Sequence, residues 1–277
     1  MQNTLQLFRP KVSLMVGLSA FAGACLFDSN LHITHVFAVL SALFLSAGCS
    51  ALNQYQECEE DAVMSRTSDR PIPSGTVDGK SVLRISAVML TLSAAFMLLG
   101  HNMSALIFIP FTLLVYNLIY TPLKKVTPFA LLIGSVTGAI PPVLGYAVTG
   151  GEIKTTGILL VAAVLYVWQT PHFALLSEKY KTDYKTAGFK TLSGTYGKTK
   201  SDLFIKIWLT GYICALLLIP ISDIYKYSSV ITAHVLITLA FAAALYLNRQ
   251  YTARTFHILN ISMVIFFLML VVDRIII

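Results

Sequence analysis

The densest group of acids in this chain lies within NQYQECEEDAVMSRTSDRPIPSG, residues 53–75. On a helix turning about 100° per residue from Asn53, Glu57 falls near 40°, Asp61 near 80° and Glu60 near −20°, while Glu59 points away at roughly 240°. A carboxamide and three acids thus share one face. Unshielded, those acids repel one another. A hard, oxygen-preferring cation relieves that repulsion, which favours Mg²⁺ over Zn²⁺, and Mg²⁺ commonly shares its shell with substrate phosphates. Arg66 and Arg70 follow, and guanidinium forks match phosphate oxygens. Carboxylates for a metal beside arginines for phosphate describe a diphosphate site. The competing reading is a solvated acidic loop eased by arginine pairing, set against the tendency of ionisable groups at membrane edges to be functional.

The rest of the chain must hold this stretch at a membrane surface. Of 277 residues, 56% are hydrophobic and only 12% charged, too little polar surface for a soluble protein of this length. Nine apolar segments lie near 12–27, 36–54, 82–100, 103–120, 128–148, 156–176, 203–221, 229–247 and 257–273, each approaching the ~20 residues that cross a bilayer. With the N-terminus inside, seventeen Lys and Arg fall in inner segments, Arg249 and Arg254 among them, and only Lys154, Lys226 and Arg274 fall outside. That asymmetry puts the N-terminus and the acidic stretch in the cytoplasm and the C-terminus outside. Phe8-Arg9-Pro10-Lys11 leads straight into the first span, so no cleavable signal is expected. Cys25, Cys49, Cys58 and Cys214 lack CxxC spacing and suggest neither disulfides nor zinc. The expected fold is an all-α polytopic bundle, nine transmembrane helices around a central cavity open to the cytoplasm, as one domain over residues 1–277.

Several positions bear on that cavity. The second span runs without a breaker into Asn53, Glu57 and Asp61, which suits a rigid site. Pro71 and Pro73 end any helix there, and the segment from Met64 to Lys80 is long enough for a lid. The third and fourth spans form a hairpin through His101 and Asn102. Tyr116 and Tyr120 at the inner end of the fourth span fit a pocket wall or an aromatic belt equally well. In the fifth span, Pro141 and Pro142 must bend the helix or break its ladder, and it reads as a cavity wall rather than a packing kink alone. The sixth span ends in WQTPHF, followed by an inner segment with Tyr180, Asp183, Tyr184 and Ala187 on one helical face. His172 and Asp183 therefore lie at the depth of Asn53 and Asp61. His32 and His35, three apart without a third ligand, read as exposed loop histidines.

These residues describe an inward-facing, metal-assisted diphosphate site opening on an apolar space, which suits an isoprenyl diphosphate. The spacing Asn53/Glu57/Asp61, with MSRT at 64–67 and Arg70-Pro71, resembles the first acidic motif of the UbiA-type intramembrane prenyltransferases. Within that superfamily, GSVTGAIPPVLGYAVTG at 134–150, WQTPHF at 168–173 and DYKTAGFKTL at 183–192 resemble the haem O synthases, the protohaem IX farnesyltransferases, with a weaker match in ARTFHILN at 253–260. The resemblance implies a Mg²⁺-dependent enzyme that moves farnesyl from farnesyl diphosphate to a vinyl of haem B (protohaem IX), adding water. It implies Asn53, Glu57, Asp61 and Asp183 as metal ligands, Arg66, Arg70, Lys125 and Lys179 at the diphosphate, and His172 in haem placement or proton handling. It also implies a bacterial inner-membrane protein in a lipid bilayer, with haem A synthase or a terminal oxidase downstream and no nucleic-acid partner. Two departures stand out. Glu57 replaces the usual Asp, and Lys179 stands where the wider superfamily has an acid, which suits a diphosphate or haem propionate better than a metal. The rival readings are another acceptor (a quinone precursor or chlorin), a polytopic transporter, or a non-catalytic haem-assembly factor.

Overall fold

A computed structural model describes residues 6–100, 102–247 and 253–275. His101 at the third turn and Arg249 among the inner cations lie outside the described residues. Within them, nine helices are long and apolar enough to span a membrane: α1 Pro10–Phe27, α2 Ile33–Gln56, α3 Gly79–Leu99, α4 Met103–Leu123, α5 Ala130–Val148, α6 Thr156–Lys179, α7 Lys198–Ile221, α8 Ser228–Leu247 and α9 Ala253–Ile275. Each apolar segment of the sequence is found as one helix, extended mostly at its polar ends. Consecutive helices pack side by side, and α9 closes the ring against α1.

The middle of the ring is filled from one side. Helix α5 packs across it against α1 as well as against α6, and it is the most buried span, with 61% of its window inside against 17% for α8. Two glycines permit this crossing: a Cβ on Gly23 would fall on the Pro142 carbonyl, and one on Gly145 on that of Ala20. Backbone contact through small residues is how helices associate where lipid is as apolar as leucine. Helix α5 stays helical through Pro141 and Pro142, although its ladder loses two N–H donors there. The proline half of α5 is therefore a packing surface, sealed by α1. Its other half is built differently, since Gly134 faces the Tyr120 ring and Gly138 the Gln169 side chain. That half of α5 lies at the end of the ring that carries Asn53 and His172.

Helix α4 is irregular there. From Leu113 to Tyr120 it widens into a π-helix, a form that recurs at functional sites because it redirects side chains. Asn117 in this stretch donates to the Cys49 carbonyl (3.1 Å) and the Gln56 side chain (3.0 Å), tying α4 to α2. At the opposite end, His35 departs from the sequence expectation. It is buried, and its ring bonds the Asp28 carbonyl and the His32 backbone, so it closes the first turn of α2.

Candidate active site

Helix α2 stops at Gln56, yet its hydrogen bonding continues. Glu57 N–H donates to the Asn53 carbonyl (3.0 Å) and Asp61 N–H to the Glu57 carbonyl (2.8 Å), so the short helix Cys58–Val63 carries the same face onward. Asn53, Glu57 and Asp61 are each buried, which excludes a solvated acidic loop. Burying carboxylates in this way requires partners, and each has one. Glu57 forms an ion pair with Lys124, and Asp61 Oδ2 accepts from Arg70 at 2.5 Å. Asn53 accepts from Arg9 at 2.6 Å and donates to the Thr121 hydroxyl at 3.0 Å. Arg9 also donates to the Tyr116 hydroxyl at 3.1 Å. Two carboxylates thus face three largely buried cationic side chains, a surplus of positive charge where an anion would sit.

Two orphaned atoms bear on the same point. Asp61 Oδ1 and Arg9 Nε are buried without a hydrogen-bond partner, and such atoms each cost about 1–3 kcal/mol unless something answers them. A cation at Asp61 Oδ1 and a phosphate oxygen at Arg9 would do so. Among the described residues no group of three His, Cys, Asp or Glu side chains is gathered as a ready metal cage. The donor set Asn53, Glu57 and Asp61 is all oxygen, the ligand chemistry that suits Mg²⁺ shared with phosphates.

Electrostatics separates the two neighbouring lysines. Burial pulls the Lys124 ammonium below the usual lysine range, and its attraction to Glu57 opposes this only in part. Lys125 is half exposed and pairs with Glu60 outside this cluster; that hydrogen bond raises its pKa. The sequence reading names Lys125 for the diphosphate; in the structure it is Lys124, not Lys125, that pairs with Glu57 inside the cluster. Lys124 also lies 5.0 Å from the Tyr120 ring.

Asp183 is engaged elsewhere. Its carboxylate accepts from the Ser65 hydroxyl (2.9 and 3.0 Å) and from the N–H groups of Ser65 (3.3 Å) and Arg66 (3.2 Å). The Ser65 hydrogen bond is the main reason its pKa lies below the ordinary value. It pins the 64–80 segment to the segment after α6, and Thr67 bonds the Asp61 carbonyl at 3.0 Å from the same loop. Arg66 stacks on Tyr180 at 5.0 Å, and Lys179 lies over Tyr180 and Phe256 at 5.4 and 5.6 Å.

His172 sits in an aromatic cluster between Trp168 (4.7 Å) and Phe256 (5.0 Å), its Nδ1 2.8 Å from Asn260 Oδ1. Phe173 links this cluster to the diphosphate end by stacking on Tyr120 at 5.8 Å. Tyr120 in turn meets Tyr116 at 5.7 Å. The tyrosines of α4 therefore line the site rather than a membrane belt. Sequence reasoning missed Arg9, Lys124, Phe256 and Asn260 as site residues. The four-residue step from Tyr120 to Lys124, one helical turn, was the available signal for Lys124.

The profile of the UbiA prenyltransferase family matches residues 12–270. A protoheme IX farnesyltransferase of Nitratidesulfovibrio vulgaris is 33% identical over 274 residues, covering 98% of this chain and 95% of the relative. Among solved structures, one described in work on digeranylgeranylglyceryl phosphate synthase superposes with a TM-score of 0.77 at 20% identity, covering 100% of this chain and 99% of the other. A UbiA homolog from Archaeoglobus fulgidus bound to GPP and Mg2+ superposes with a TM-score of 0.74 at 15% identity, covering 99% of each chain.

Proposed function

This chain belongs to the UbiA prenyltransferase family, and from that premise we propose that it transfers the farnesyl group of farnesyl diphosphate to a vinyl group of haem B, giving haem O. The named relative supports the choice of donor and acceptor, and the Archaeoglobus protein, solved with GPP and Mg2+, supports a divalent metal and a prenyl diphosphate in this fold. The observation that carries the reading is the buried meeting of Asn53, Glu57 and Asp61 with Arg9, Arg70 and Lys124 at one end of the ring.

Asn53, Glu57 and Asp61 would hold Mg²⁺ through their side-chain oxygens. When bound, the metal neutralises charge on the leaving diphosphate and lowers the barrier to C–O cleavage. Arg70, Lys124 and Arg9 take the phosphate oxygens, with Arg66 at the loop edge, and their positive charge holds the departing group. Tyr116 and Tyr120 present ring faces to the allylic cation, and the sealed half of the ring keeps bulk water away from it. The haem vinyl attacks the farnesyl C1. Water adds to the carbon left cationic, and one proton departs. With Nδ1 donating to Asn260, His172 Nε2 carries the lone pair that accepts that proton. Lys179 takes a haem propionate. Asp183 acts by positioning Ser65 and Arg66 rather than as a metal ligand, and the 64–80 segment it pins covers the diphosphate.

Seventeen inner cations against three outer ones support a cytoplasmic N-terminus and active site. On the proposed reaction the membrane is a bacterial inner membrane, and a haem A synthase or terminal oxidase receives the product. The test offers membranes containing the protein labelled farnesyl diphosphate, Mg²⁺ and three acceptors: haem B, a hydroxybenzoate and a chlorin. Label in the haem fraction is expected. Label in either other acceptor would replace haem B in this reading.

A further inference from the structure

A second polar site lies at the far end of the ring. There the last turns of α1, α5 and α9, the first turn of α6 and the α7–α8 turn line a half-open cavity of about 230 Å³, with Tyr146, Thr155, Ser222, Asp223 and Arg274 among its walls. At ~30 Å³ per water in the liquid, it has room for a group of about eight non-hydrogen atoms.

Its lining carries charges of both signs. Arg274 donates one Nη to the Ile224 carbonyl, but its buried Nε makes no hydrogen bond. Asp273 Oδ2 forms an ion pair with that Nε at 3.6 Å, longer than a hydrogen bond, while its carboxylate accepts from the N–H groups of Lys226 and Tyr227. Asp223 is exposed and makes no hydrogen bond or ion pair among the described residues. Its φ of 54° lies in the left-handed region, which Asp and Asn adopt more readily than other non-glycine residues. The Ser222 and Thr155 hydroxyls give their protons to the carbonyls of Ile219 and Glu152, so their oxygens offer only lone pairs to a ligand. One side of the cavity therefore accepts and the other donates.

We propose that this cavity binds phosphoethanolamine, as the headgroup of a membrane lipid. Asp223, with the Ser222 and Thr155 oxygens, takes the primary ammonium. Arg274 and the Tyr146 hydroxyl take the phosphate, helped by the first turn of α6, which no side chain caps. The cavity sits at the level of the lipid headgroups because it is formed by span ends. Phe27, Leu159, Leu218 and Ile221, next to its lining residues, are exposed apolar side chains along which the acyl chains run.

The test purifies the full-length protein from bilayer discs holding equal phosphatidylethanolamine, phosphatidylcholine and phosphatidylglycerol, and counts retained lipids by native mass spectrometry. The ethanolamine lipid is expected to be retained about tenfold over each of the others, the size of one charge-assisted hydrogen bond. Asp223→Asn should erase that preference without disturbing the fold, since Asn tolerates left-handed backbone. Arg274→Gln should reduce retention of both phosphate-bearing competitors and the ethanolamine lipid together. Farnesyl diphosphate binding, measured on both variants, should match the parent and so report an intact fold. Equal retention of the three lipids by the parent would overturn the proposal. So would an unchanged preference in Asp223→Asn, and so would binding of soluble glycerophosphoethanolamine without retention of the intact lipid.

Discussion

Replacing Lys124 with Met leaves the Glu57 carboxylate buried without its cation, next to Asp61. The Glu57 side chain is 5% exposed and that of Lys124 16%, so solvent screens neither charge well. Breaking a buried ion pair from one side costs about 3–5 kcal/mol, and the small exposure of Lys124 argues for the lower figure, ~3 kcal/mol. Glu57→Gln alone frees a buried ammonium and should cost a similar amount. The double variant removes both charges and should recover most of the loss, leaving a coupling of about 2 kcal/mol or more. Denaturant titration of the purified protein in mixed micelles gives the four stabilities. Mg²⁺ sharpens the test, because the unpaired Glu57 of Lys124→Met should gain more stability from the ion than the parent does. All three variants should lose transferase activity, the double variant included, since a stable site lacking both groups still cannot hold the diphosphate. Additive losses with no Mg²⁺ difference would refute the pairing, and with it the placement of Lys124 at the site.

Other consequences can be checked separately. Gly145→Ala should part α1 from α5, because its Cβ meets the Ala20 carbonyl; loss of the monodisperse peak in size exclusion is expected. Gly211→Ala, whose nearest neighbour would be a Val167 methyl at 3.7 Å, should leave that peak intact. His172→Phe and Asn260→Leu should each cut haem modification by about 10²-fold or more, the scale of a lost acid–base group, while farnesyl diphosphate binding stays near the parent value. Because burial lowers the Lys124 pKa, its charge is present on the acid side of that lowered pKa and is lost as pH rises through a value below the ordinary 10.5. Farnesyl diphosphate affinity should fall on that limb, and Lys124→Arg, which does not titrate there, should flatten it.

The architecture was legible because hydropathy alone sets it: a backbone in lipid must satisfy itself, so each long apolar run becomes one helix. The Asn53/Glu57/Asp61 face was legible for a related reason, since helical hydrogen bonding carries across the interruption at Glu57. What the sequence did not display was pairing. Lys124 and Lys125 are adjacent and chemically alike, and only packing around the π-helical end of α4 decides which one is buried. Arg9 lies 44 residues from Asn53, and Asn260 lies 88 from His172, separations at which no local pattern operates. Asp183 carried the right charge at the right depth, yet its oxygens went to Ser65 and Arg66, because a turn's free N–H groups are strong and nearby partners for a carboxylate. The prolines of α5 misdirected in a different way. Beside Gly23 and Gly145 they let two backbones touch, a role that chain chemistry alone does not separate from lining a cavity.

The central claim is that the buried acids of α2 and its extension hold a metal that drives farnesyl transfer to haem. It is tested most directly by incubating membranes containing the protein with haem B, farnesyl diphosphate and Mg²⁺, then weighing the extracted haems. Parallel samples contain EDTA or the Asp61→Ala variant. The account requires a haem heavier by one farnesyl group and one water, absent from both controls. A product of that mass surviving EDTA or Asp61→Ala would contradict the metal site, and no modified haem from a preparation that binds farnesyl diphosphate would contradict the acceptor.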